Sequence, residues 1–199
     1  DHVICNRNIY GETFDVFTKL MPKFGIKADL VDFDDVENCR KAVKPETKLI
    51  YSEVFANPTL NIADIPTLAE IAHKNGALLM IDNTFSSPIA IKPIKFGADI
   101  VINSMTKFMN GHSDAIAGSI TSTAEIIDAI HPVRMLCGTP GDPHAAHAMM
   151  KSFATMDLRI KKQMASAAKL AKALEENKYV SKVNHPSPVS YTHLTLPTN

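Results

Sequence analysis

The sequence has no tryptophan, and cysteine is scarce: three residues in 199, at Cys5, Cys39 and Cys137. They are far apart and form no CxxC pair. That spacing excludes a disulfide scaffold or a compact zinc module and is the usage expected in a reducing cytoplasm. Net charge is also absent, because 21 Lys and Arg balance 21 Asp and Glu. No bulk field is available to draw nucleic acid or an anionic membrane surface. No apolar run approaches the roughly 20 residues that a membrane-spanning helix needs, and neither GxGxxG nor GxxxxGK[ST] occurs, which argues against a nucleotide-binding module. What is present is ordinary globular composition, 45% hydrophobic and 21% charged. It suits one domain or part of a larger one.

Short β-rich runs recur along the chain: HVIC at 2–5, KADLVDF at 27–33, KLIYSEVF at 48–55, ALLMID at 77–82 and DIVINS at 99–104. Helical patterns fall between them, and AIAGSIT, at 115–121, reads as one more strand. Such alternation predicts an α/β fold, a mostly parallel sheet with flanking helices. The clearest helix runs from Asp64 to Asn75: Ile65, Leu68, Ala69 and Ala72 make an apolar stripe, Asp64 can cap, Pro66 sits in the first turn and Gly76 can stop it. ALLMID, nearly all apolar, is expected to be a central strand buried on both faces. Its last residue, Asp82, then lies at a strand's C-terminal end, where open α/β sheets bind ligands. DIVINS leads into SMTK, so Lys107 is expected at the same edge.

Downstream, Met164, Ala167, Ala168, Ala171 and Leu174 mark a long helix between about Asp157 and Glu176. The expected division is 1–150 as the core of the sheet domain, 151–186 as the long helix leading onward, and 187–199 as a non-native tail. The Ser/Thr/Pro-rich ending, SYTHLTLPT, resembles translated sequencing-adapter read-through and is set aside from fold reasoning. The opening, DHVICNRNIYG, reads as the inside of a domain, so truncation is expected at both ends.

Four segments concentrate chemistry: YG at 10–11, ANP at 56–58, DNTF at 82–85 and SMTKF at 104–108. Together they offer an amine, a carboxylate at a strand end, hydroxyls two apart on an extended segment and an aromatic ring. The wider pattern NIYGET, SEVFANP, MIDNTF and NSMTKFMNGHSDAIAG resembles the Cys/Met-metabolism family of enzymes dependent on pyridoxal 5'-phosphate (PLP). That family includes cystathionine γ-synthase, O-acetylhomoserine sulfhydrylase and the cystathionine and methionine γ-lyases. The resemblance runs from Asp1 to about Pro186. It implies the large domain of a fold type I, aspartate-aminotransferase-like enzyme.

Position by position, the resemblance makes Lys107 the lysine that holds the cofactor aldehyde as a Schiff base and moves protons. Such a lysine must be deprotonated to react, which a desolvated pocket with cationic neighbours promotes. Asp82 matches the carboxylate that keeps the pyridine nitrogen protonated. Tyr10 matches the aromatic over the ring, assigned here both to catalysis and to cofactor binding. Ser104 and Thr106 match phosphate contacts, Asn57 a donor to the phenolic oxygen and Thr84 a residue against the other ring face. Glu53 is read as an orienting carboxylate outside the catalytic set. Taken singly, each residue has a plainer reading: a solvated lysine, a strand-end Asp in a turn, a core tyrosine, a polar strand end, a turn at ANP. His112 reads as a structural residue of the loop after the lysine, and Met149, Met150 and Met156 as core. His144 and His147, three apart, lack further ligands, and no metal site is expected.

The sequence departs from the family in places. The common form near HSxTKY is here Asn103, Ser104, Met105, Thr106, Lys107, Phe108, and Glu12 stands where methionine γ-lyases carry cysteine and synthases glycine. The resemblance also implies parts beyond these residues. Upstream belong a phosphate loop and a Tyr and Arg reaching the neighbouring subunit's site; downstream belongs a domain with the arginine that grips the substrate carboxylate. The function expected is γ-replacement on an O-acylhomoserine by sulfide or a thiol in a cytoplasmic homo-oligomer, a dimer of dimers acting on a small amino-acid substrate. A γ-eliminating lyase is the alternative. A cofactor-free Rossmann-like module or an inactive fragment stands as a reading of another class.

Overall fold

The computed structural model describes residues 1–186; the 187–199 segment assigned to a tail lies outside the described residues. Six strands form one sheet in the order β2-β1-β3-β4-β5-β6. They are β1 (His2–Asn6), β2 (Lys27–Val31), β3 (Thr47–Glu53), β4 (Leu78–Asp82), β5 (Ile100–Ser104) and β6 (Gly118–Thr121). All pairings are parallel except that of β5 with β6, which is antiparallel. The chain steps from β1 outward to β2, then returns past β1 to β3. That reversal of direction leaves a crevice beyond the C-terminal ends of β1 and β3.

Between β1 and β2 lie α1 (Gly11–Asp15), a wider turn of helix at Val16–Leu20 and a tighter one at Met21–Phe24. Phe14, Phe17 and Met21 from this segment cover one face of the sheet over Val3, Cys5 and Tyr51. The opposite face is covered by α2 (Val36–Ala42) and α3 (Ile65–Lys74). In α3 the expected stripe of Ile65, Leu68, Ala69 and Ala72 is buried, and with Ile71, which the stripe did not include, it packs on Ile4, Ile50, Leu79 and Ile81. Asp64 caps it, its Oδ1 accepting from the Thr67 backbone N–H at 3.2 Å. Beyond β4 come α4 (Ser87–Ala90) and a short tight turn at Pro93–Phe96, and beyond β6 come α5 (Ala124–Leu136) and α6 (Pro143–Glu175). Among the described residues no helix is long and apolar enough to cross a membrane.

Three local expectations need correction. Strand β4 is not buried on both faces: Leu79 and Ile81 are fully enclosed, but Leu78 is 38% exposed and Met80 half-buried. The helical segment covering the second face packs over β1 and β3 and leaves β4 and β5 half-open above Met80 and Ile102. Helix α6 begins at Pro143, well before the expected start near Asp157 and inside the stretch assigned to the sheet core. Its N-terminus is set by Asp142, whose Oδ2 accepts from the Ala145 N–H at 2.7 Å, and by Pro143 in the first turn. Methionine content misled there too. Met149 is buried, whereas Met150, one helical step around, is 73% exposed.

Because Leu68 is completely enclosed between α3 and the sheet, Leu68→Ala should cost about 2–5 kcal/mol of stability. On the opposite side of the helix, Glu70→Ala should stay within roughly 0.5 kcal/mol. Equilibrium urea unfolding of the two variants beside the parent checks the contrast; equal midpoints for both would show that this stripe does not carry the packing.

Candidate active site

Parallel register sets the site. Glu53 at the end of β3 pairs with Asp82 at the end of β4, and Asp82 pairs with Ile102 of β5. Side chains alternate faces along a strand, so Glu53, Asp82 and Ser104, two beyond Ile102, share one face at one edge. It is the half-open face.

Glu53 is 7% exposed and uses both oxygens. Oε1 accepts from the Tyr10 backbone N–H at 2.8 Å and Oε2 from the Asn57 N–H at 3.2 Å. One carboxylate thus ties the loop after β1 to the loop after β3, across the crevice between them. Burial pushes the Glu53 carboxyl up to about 6; the Tyr10 N–H opposes the shift, the Asp82 charge adds to it and the Asn57 N–H opposes it. Tyr10 itself is 45% exposed at the start of α1. The Glu12 carboxylate beside its hydroxyl raises its pKa and so favours the protonated phenol.

Asp82 is half-buried, and the Thr84 backbone N–H donates to its Oδ1 at 2.8 Å. The buried Tyr51 hydroxyl lies 3.5 Å from Oδ2, a weak contact at best, so that oxygen retains acceptor capacity. The Thr84 hydroxyl accepts from the Ser104 backbone N–H at 2.8 Å, joining the ends of β4 and β5. Ser104 O in turn accepts from the Lys107 N–H at 3.2 Å, which starts the turn carrying the lysine. Thr106 is occupied with backbone: its hydroxyl donates to Ala117 O at 3.3 Å and stands 3.1 Å from the Ala117 N–H.

Tyr10, Asn57, Asp82, Thr84, Ser104, Thr106 and Lys107 are thereby linked, through Glu53 and the strand ends, along one edge. Lys107 is exposed and lines an open cleft of about 790 Å³ together with Thr106, Phe85, Phe108 and, from α6, Gln163. The Phe85 and Phe108 rings meet edge to face at 5.9 Å. Asp82, Tyr10 and Asn57 are not part of that cleft's lining. His112 sits in the loop after the lysine, its Nδ1 2.7 Å from Asn110 O. Since a carbonyl can only accept, that nitrogen carries the proton.

Reading the sequence missed two features. Tyr51 lies under Asp82; its spacing of two from Glu53 was the available signal. The anchoring of the post-lysine loop by Ser152 and Arg159 of α6 had no local signal, because the partners are some fifty positions away in sequence.

The family described as Cys/Met metabolism PLP-dependent enzyme matches residues 1–196. The canavanine gamma-lyase of Pseudomonas canavaninivorans is 37% identical over 193 residues, which is 96% of this chain and 48% of that protein. A probable cystathionine gamma-synthase of Herpetosiphon aurantiacus is 35% identical over 98% of this chain and 62% of its own length. Among solved structures, cystathionine gamma-lyase from Lactobacillus plantarum, complexed with L-serine, superimposes with a TM-score of 0.90 at 34% identity, over 94% of this chain and 49% of that one. The chain spans about half the length of the curated relatives it matches.

The Glu53 carboxyl gives the site a pH signature. Between its ordinary value of 4.5 and about 6 the folded chain retains a proton that the unfolded chain has released, so this group's contribution to stability falls as pH rises through that window. Glu53→Gln should flatten the fall, while leaving the Tyr10 or Asn57 N–H facing an amide group instead of a carboxylate oxygen. Urea midpoints measured from pH 4 to 7 check this; parallel profiles for parent and variant would contradict it.

Proposed function

Because the chain belongs to the Cys/Met metabolism PLP-dependent enzymes, we propose that Lys107 holds the cofactor and that the edge formed by Glu53, Asp82 and Ser104 receives it. The observation that carries this reading is the donor set. The lysine stands in the turn just after β5, and the neighbouring β4 ends in a carboxylate fixed through one oxygen. The residues fit the group. Asp82 Oδ2 is suited to a protonated pyridine nitrogen, Tyr10 to one face of the ring, Thr84 to the other and Asn57 to the phenolic oxygen. The Ser104 and Thr106 hydroxyls suit the phosphate, with Thr106 sharing its oxygen with Ala117.

PLP, when bound, withdraws electron density from the Cα of an attached amino acid and so makes its protons labile. Lys107 would supply the base, its Nζ taking the proton that leaves Cα and holding it as the ammonium. Asp82, its Oδ1 held by the Thr84 N–H, would present Oδ2 to the pyridine nitrogen. Tyr10, protonated beside Glu12, can give a proton to a departing group. Glu53 holds the Tyr10 and Asn57 loops to each other, and orientation of this kind is a large share of catalysis.

The finer assignment is γ-replacement on an O-acylhomoserine with sulfide or a thiol, as Glu12 in place of the lyase cysteine suggests. γ-Elimination is the second reading, favoured by the names of relatives such as the canavanine gamma-lyase. The whole protein is proposed to be a homo-oligomer. The exposed Ile116, Val133, Leu136 and Leu158 are apolar surface that self-association would cover.

The PLP-loaded full chain should absorb in the visible, and Lys107→Ala should abolish that band. A band intact in the variant would overturn the assignment. Asp82→Asn should keep the band but slow turnover by roughly a hundredfold or more. A panel of O-acetyl- and O-succinylhomoserine with sulfide or cysteine, set against methionine and cystathionine, separates replacement from elimination.

A further inference from the structure

A polar cluster joins α6 to the turn that carries Lys107, and nothing in the proposed chemistry uses it. The Arg159 guanidinium makes four hydrogen bonds. Nη1 donates to Phe108 O at 3.1 Å, Nη2 to Met109 O at 3.1 Å and to Ser152 O at 2.9 Å, and Nε to Thr155 Oγ1 at 3.1 Å. Phe108 and Met109 directly follow the lysine. Beside them the buried Ser152 hydroxyl donates to Oδ1 of Asn110, itself fully enclosed, and Asn110 Nδ2 donates to Asp114 Oδ1, both at 3.0 Å. Gly111 completes the cluster: its φ is +73°, and a Cβ there would overlap the Arg159 guanidinium.

A guanidinium is a rigid, permanently charged fork, able to fix two successive carbonyls in a way that a flexible ammonium does not. Here it fixes the peptide planes on the C-terminal side of Lys107, while the Lys107 N–H to Ser104 O bond fixes the N-terminal side. The lysine side chain is long and exposed, so the direction in which it leaves the backbone is set by this turn. Small misplacements of a reacting group are costly.

We propose that Arg159 is a positioning residue for Lys107, aiming the lysine at the cofactor by clamping the Phe108 and Met109 carbonyls to α6. The proposal rests on the reading of Lys107 as the cofactor-bearing lysine.

The test uses the PLP-loaded full chain and the variants Arg159→Gln, Arg159→Lys and Gly111→Ala, with three readouts: amide hydrogen exchange over residues 105–111, retention of PLP on dilution, and the pH midpoint of the visible band. In Arg159→Gln, exchange in the turn should rise and PLP should be retained about tenfold less well, the loss expected from one or two charge-assisted hydrogen bonds. The pH midpoint should move. Arg159→Lys should recover only part of the loss. Gly111→Ala, which displaces the guanidinium and leaves its charge in place, should reproduce the phenotype and add little in the Arg159→Gln background. It keeps the question answerable if Arg159→Gln does not fold. Unchanged exchange in these variants would overturn the clamp. Raised exchange with parental retention and midpoint would reduce Arg159 to a helix anchor and overturn its positioning role. Lys107→Ala, run alongside, separates the two ideas: a band that survives there sinks the reading of the lysine, while the exchange data still judge the clamp.

Discussion

Parallel pairing of β3, β4 and β5 puts Glu53 opposite Asp82 and Asp82 opposite Ile102, and every other feature of the site depends on that alignment. A shift of one residue would turn either carboxylate into the face packed by α3. Leu79 and Ile81, both fully enclosed against α3, are what prevent it. The hydrophobic core on one face therefore holds the polar residues of the other in place. Loop contacts are then built on fixed ends: Thr84 bonds back to Asp82 and across to the Ser104 N–H, and Lys107 bonds to Ser104.

The half-open second face follows from the same arrangement. A helical cover running fully across the sheet would bury Met80 and Ile102 and leave no room for a ligand beside Asp82. Instead the Gly11–Phe24 segment covers β1 and β3 and stops. Its first residues remain at the crevice, where the Tyr10 N–H meets Glu53. The exposure that defeats a simple expectation of a doubly buried β4 is greatest at Leu78, the end of the strand away from Asp82, while Met80 between them is half-buried.

Much of this was legible in the sequence, for identifiable reasons. Strands and α3 show because their apolar periods are strong and their caps are local, Asp64 and Gly76 among them. Asp82 and Lys107 show because each ends or follows an apolar run, so placing the strand places the residue. The loop-borne residues Tyr10 and Asn57 were recognisable from family motifs only, and their mutual tether through Glu53 is a tertiary fact that joins three separate segments. The early start of α6 was hidden because helix 143–156 buries few residues and so carries no clear stripe; Met149 is inside while Met150 is in solvent.

Two carboxylates on adjacent strand ends would ordinarily repel, and the site resolves this by giving them different surroundings. Glu53 is buried, spends both oxygens on backbone N–H groups and has its carboxyl raised to about 6, in part by Asp82. Asp82 is half-exposed and holds only one oxygen in a strong bond. Burial thus brings the Glu53 carboxyl up to about 6, and a proton there weakens one of the acceptors that tether the two loops. A cationic ring nitrogen at Asp82 would offset part of the Asp82 charge that now pushes Glu53 upward, and would strengthen the Glu53 carboxylate as an acceptor for Tyr10 and Asn57. The two acids are coupled as charges, and the loops that carry Tyr10 and Asn57 are held by the one that burial raises.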